Sequence, residues 1–196
     1  MPTSSSRFSL SALAVMAGLA GFAAAPLAAQ AVSNSAEFEA WRKVQKEDID
    51  GLREKFTALA KAVPASKLGW RPMEGTRSFH DVFAHVAAEG NTETAMFGGK
   101  LPAGSLADFD AEEGRLGKLS DDQLIAVMDK SMQSLSATLA GLSLDKMNTS
   151  ITYYGHPTLP RIAATYTLND LHEHLGQLVS YARMNQIVPP WSKKPG

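Results

Sequence analysis

The chain has five histidines and no cysteine, so side-chain metal or acid-base chemistry falls to imidazole working with carboxylates rather than to thiolates. Two of the histidines sit two residues apart in "LNDLHEHLGQLVSYARMNQIVPPWS", a stretch whose apolar spacing predicts a helix. Two positions along a helix is a rotation of about 200°, so His172 and His174 face different sides and cannot serve one site together. His174 has Asp170 one turn before it on the same face, whereas His172 has only Asn169 at i−3 and Gly176 at i+4. A pair four residues apart, pointing inward from one helix toward another, is how bundles assemble metal sites; it is also a common helix-stabilising surface pair. His85 stands among Val82, Phe83 and Val86 with Asp81 at i−4 and Glu89 at i+4, either of which could orient its ring. An imidazole near an apolar face is more often a hydrogen-bonded core residue than a ligand, so spacing leaves both readings open. His80 faces away from His85, and His156, before Pro157, reads as a turn residue.

The elements that carry these residues follow from hydrophobic periodicity. Residues 35–63 place Phe38, Trp41, Val44, Ile49, Leu52 and Phe56 at helical steps before Pro64 interrupts them. A Pro- and Gly-containing loop leads to a second helix over residues 78–97, capped by Ser78 and carrying His85. Residues 98–119 read as a polar, Gly-rich connection. Ser120 and Gln123 have the capping-box spacing that opens a third helix, with Leu124, Met128, Met132 and Leu135 on one face and Gly141 at its end. In residues 142–159 the run "SITYYGHP" has the β-branched and aromatic content of a short strand or extended loop, closed by a Gly-His-Pro turn. Pro160 suits the first position of a fourth helix running to about residue 185, where "VPP" stops it. Four long amphipathic helices with little strand predict an all-α four-helix bundle with a short strand-like segment before the last helix.

Residues 1–31 have the parts of a secretory signal: Arg7, the apolar run "LSALAVMAGLAGFAAA", and small residues Ala29 and Ala31 flanking Gln30. Cleavage after Ala31 would leave a single domain, residues 32–196, in the periplasm or secreted, with no stable membrane anchor. That domain carries 18 basic and 20 acidic side chains, which gives no electrostatic reason to expect a nucleic acid partner. The absence of cysteine excludes disulfides and thiolate nucleophiles.

The segment "HLGQLVSYARMNQIVPPWS", from His174, resembles the C-terminal helix signature of the DinB-like superfamily, and "WRPMEGTRSFHDVFAHVA", from Trp70, resembles its other signature, a Trp-x-Pro loop leading into a histidine-bearing helix. The resemblance spans the chain beyond the leader. It implies a four-helix bundle converging on one divalent transition metal (Zn, Ni, Mn or Fe), with His85 and His174 as ligands and Asp170 where the family commonly has a third histidine. Such a site implies a metal-dependent hydrolase or transferase acting on a small substrate. Metal activation of a cytosolic thiol, known in the family, suits an exported member poorly. The competing readings are a non-catalytic bundle that binds a small ligand or partner around a degenerate site, and a homodimer module packed through its Met-, Leu- and Phe-rich helix faces.

Overall fold

In a computed structural model, residues 34–192 are described; the leader expected over residues 1–31 lies outside them. Helix α1 (Ser35–Ala62) is followed by the single turn α2 (Ala65–Leu68), the long α3 (Phe79–Met96) and the short α4 (Phe109–Leu116). Then come α5 (Asp121–Ala140), the single turn α6 (Leu144–Met147), a hairpin of β1 (Ile151–Tyr153) and β2 (His156–Thr158), and α7 (Pro160–Met184), with a closing 3-10 turn at Pro190–Ser192. The four long helices, α1, α3, α5 and α7, form the bundle: α5 packs on both α1 and α3, and α7 covers the opposite side of the same pair. None of the described helices is long and apolar enough to cross a membrane.

The core lies where the apolar stripes meet, with Ile49, Leu52, Phe56, Phe79, Phe83 and Met132 almost wholly withdrawn from water. Burying each such side chain contributes about 1.5–3 kcal/mol, which makes this seam the main force holding the helices together. Val44 departs from the expected stripe of α1: it is 57% exposed, and Gln45 takes the buried position beside it. The helix turns inward one residue away from where the spacing pointed. Close approach of α3 to α5 depends on Gly90, where an added Cβ would stand 2.7 Å from Ser131 Oγ.

Local signals set the helix boundaries. Ser78 Oγ accepts from the Asp81 backbone N at 3.1 Å and Asp81 Oδ2 accepts from the Ser78 N at 2.9 Å, a reciprocal cap that starts α3 at Phe79. Asp81, one of two candidates to orient His85, is therefore engaged at the helix end and with Arg71 instead. Gln123 Oε1 accepts from the Ser120 N at 3.2 Å ahead of α5. Leu159 precedes α7, with Pro160 in its first turn.

Two further expectations need correction. Residues 98–119 are not a plain connection, because Asp108 accepts from the Ala111 N and nucleates α4. The hairpin turn is Tyr154-Gly155, both at positive φ (45° and 82°), so Tyr153 pairs with His156 and the latter lies in β2 rather than in the turn.

Candidate metal centre

Helices α3 and α7 each contribute a pair of residues one turn apart: His85 and Glu89 from α3, Asp170 and His174 from α7. One ligand atom from each of the four lies within 4.8 Å of every other. His85 Nε2 is 3.8 Å from Glu89 Oε1 and His174 Nε2 is 3.6 Å from Asp170 Oδ2. The two imidazoles stand edge to face, with centroids 4.5 Å apart. Three of the side chains are nearly enclosed, at 12% exposure for His85, 5% for Glu89 and 13% for His174, while Asp170 is 46% exposed.

Each ring is held from behind through its other nitrogen. His85 Nδ1 is 3.0 Å from Glu113 Oε1, and Arg77 steadies that carboxylate at 3.1 Å. His174 Nδ1 is 3.1 Å from Gln177 Oε1. The amide is oriented in turn, because Gln177 Nε2 donates to the Tyr181 hydroxyl at 2.8 Å and that hydroxyl donates to the Arg77 carbonyl at 3.2 Å. With an acceptor at each Nδ1, that nitrogen carries a proton in both rings, and both Nε2 atoms face the carboxylates of Glu89 and Asp170. The packing of Tyr181 edge-on against Trp70 and Phe79 anchors this support.

The result is a cluster of acceptors in need of a cation or protons. Burial above all, then Asp170 and the charge of Glu93, push the Glu89 carboxyl up to about 11. Hydrogen bonding to His174 and then to Glu89 holds Asp170 well below the usual carboxylate range. Burial, joined by the charges of His174 and Arg77, lowers His85; burial also opposes charge on His174, but hydrogen bonds to Asp170 and Gln177 outweigh it and raise that ring. Glu89 Oε2 is buried with no hydrogen-bond partner. Two imidazole nitrogens, two carboxylates and an orphaned carboxylate oxygen around one point fit a borderline divalent ion such as Zn, Ni, Mn or Fe.

All three residues singled out in the sequence, His85, Asp170 and His174, come together here, and Glu89 joins them as a direct member rather than as a support for the ring. His172 points away and meets Asp48 at the surface, and His80 bonds Asp121. Gly176 makes no close helix contact; nothing lies within 4 Å of a Cβ built on it. Glu113 escaped sequence reasoning because it lies on α4. Glu93, one turn beyond Glu89 on α3, was also not singled out, although its i+4 step from Glu89 was the signal that could have found it. Its carboxyl lies at the back of a cavity of about 520 Å³ that opens over His85, Glu89 and Asp170 and is walled by Phe109, Tyr153 and Tyr154.

This architecture has known counterparts. A DinB superfamily model matches residues 48–178, a span that includes all four clustered side chains, and the chain belongs to that superfamily. A DinB-like protein from Bacillus cereus ATCC 10987, with a crystal structure at 2.01 Å, is similar in fold at a TM-score of 0.58 and 14% identity, over 71% of this chain and 89% of that one. No curated protein matches the chain.

Proposed function

We propose that this is an exported DinB-superfamily protein that holds one divalent transition metal through His85, Glu89, Asp170 and His174 and uses it as a hydrolase or transferase on a small molecule in the adjoining cavity. The observation that carries the reading is the pairing of both Nδ1 atoms with acceptors, at 3.0 Å for His85 and 3.1 Å for His174, which leaves two Nε2 atoms and two carboxylates converging within 4.8 Å of one another. Without a metal the cluster is held together by protons shared among Glu89, Asp170 and His174, and a divalent ion would take the place of those protons.

A bound divalent ion supplies Lewis acidity and a lowered pKa for water at neutral pH. The protein's part is positional. His85 and His174 bind, with Glu113 and Gln177 fixing the plane and tautomer of each ring. Glu89, buried, supplies a carboxylate that no solvent competes for, and Asp170 stands at the open side, where it can orient an incoming molecule. Phe109 and Tyr154 narrow the access of water from the side of α4 and the hairpin.

The test is elemental analysis of the protein purified without metal-affinity resin, beside His85→Ala, Asp170→Ala and His174→Ala variants. The proposal expects close to one transition metal per wild-type chain and its loss in each variant. A wild type that stays metal-free after incubation with Zn, Ni, Mn and Fe(II) would leave a bundle that binds a ligand or partner without metal chemistry.

A further inference from the structure

Two carboxylates that line the cavity, Glu93 and Glu173, lie outside the four-residue cluster, and Glu93 is the buried one. Glu93 is 1% exposed; its Oε1 accepts from the Tyr153 hydroxyl at 2.6 Å and lies 3.5 Å from the Tyr154 hydroxyl, while its Oε2 is buried without a partner. A buried carboxylate oxygen with no donor is costly, and none of the described residues that line this cavity is a lysine or arginine to offset it. The walls next to it are aromatic. Tyr153 and Tyr154 meet edge to face at 4.8 Å, Phe109 continues the wall 6.1 Å from Tyr154, and Tyr166 stands 58% exposed on the α7 side. Tyr154 occupies the left-handed region at φ 45° in the tight hairpin turn, which places its ring on the cavity wall rather than in the sheet.

Charge decides what such a cavity accepts. A divalent ion held by the cluster would balance Glu89 and Asp170 and leave Glu93 and Glu173 at the cavity without a cation. An anionic ligand would meet two uncompensated carboxylates. A cationic one would satisfy the orphaned oxygen and lay its apolar body on tyrosine and phenylalanine faces, whose π-electrons attract positive charge. We propose that the cavity takes a small organic amine in its ammonium form, received by Glu93 Oε2 and seated against Tyr154 and Phe109, and that this is the substrate class presented to the metal centre. The inference rests on reading this cavity as the working site of that centre.

The experiment is calorimetric titration of the Zn-incubated protein at mildly alkaline pH with phenethylammonium and, separately, with 2-phenylethanol, which has nearly the same shape and no charge. Zn content is measured on the same samples. The proposal expects phenethylammonium to bind at least about tenfold tighter than the alcohol. Glu93→Gln, which keeps an acceptor for Tyr153, should abolish most of that preference and leave alcohol binding unchanged. Tyr154→Leu should weaken the ammonium several-fold, with circular dichroism confirming that both variants are folded. Equal affinity for the two probes, or an ammonium affinity untouched by a folded Glu93→Gln, would overturn the proposal. Zn retained without an ammonium preference sinks the amine cavity alone. An ammonium preference that needs Glu93 in a protein unable to retain Zn sinks the metal function and leaves the cavity standing.

Discussion

Glu113 and Gln177 hold His85 and His174 by the nitrogen that does not face the cluster, at 3.0 and 3.1 Å, so the quality of the site depends on residues outside it. Losing such a support generally weakens metal binding about 10–100-fold. Glu113→Ala should therefore weaken the metal by about that factor in competition with a chelating dye, while Glu113→Gln, whose amide oxygen can still accept from Nδ1, should recover most of it. Equal effects of the two substitutions would mean that Glu113 acts by charge alone. The carboxylates also make a statement about pH. Burial first of all pushes Glu89 from 4.5 up to about 11, and burial likewise raises Glu93 to about 7. An acid whose folded pKa lies above its unfolded value binds more protons when folded, so its contribution is present at low pH and is lost as pH rises. In chelator, thermal stability should therefore fall from pH about 4.5 upward, through the Glu93 transition near 7 and on toward 11. Glu89→Gln, which cannot ionise, should flatten the alkaline part of that decline, and added metal should do the same in the wild type. A wild-type melting temperature independent of pH across this window would contradict the environments assigned to both residues.

The same residues depend on how helices sit against one another. Helix α3 carries His85, Glu89 and Glu93 along one face while its other side runs close to α5 at Gly90, where a Cβ would come within 2.7 Å of Ser131 Oγ and 3.0 Å of its backbone carbon. Gly90→Ala should cost about 1–3 kcal/mol of stability, read from urea unfolding, because the helices must separate to admit the methyl group. It should also lower metal affinity, since α3 would shift relative to α7. The long helices were legible because their stripes repeat over many turns and their ends carry strong signals: Ser78 with Asp81, Ser120 with Gln123, and Pro160. Helix α4 was not, although Asp108 caps it, because eight residues give barely two turns of periodicity and Gly114 interrupts them. Burial of Glu112 fixes it in place: that carboxylate receives Arg115, the Asn91 side chain and the Leu106 backbone N, tying α4 to α3 and to the preceding loop. These contacts between distant parts of the chain brought Glu113 to His85, and spacing along one helix cannot reveal them. The hairpin failed differently: a Gly-His-Pro sequence suggests a turn, but the positive φ fell on Tyr154 and Gly155, one step earlier.

For the molecule as a whole, the bundle was legible from periodicity, whereas spacing left both readings of His85, Asp170 and His174 open and only the resemblance to the DinB-like signatures joined the three, which the structure brings together. The direct part played by Glu89 was not legible, because an i+4 carboxylate can either support a ring or stand beside it, and only the placement of α7 decides which. The proposed export predicts that N-terminal sequencing of protein recovered outside the cytoplasm begins near Val32. Recovery of intact Met1 there would mean an uncleaved anchor. The most direct test of the metal centre is an anomalous difference map from crystals of the native protein, collected at the absorption edge of whichever metal it carries. A single peak at bonding distance from His85 Nε2, His174 Nε2 and the carboxylates of Glu89 and Asp170 is the expected result. A protein that crystallises with its metal elsewhere, or with the imidazoles turned so that Nδ1 faces the cluster, would contradict it.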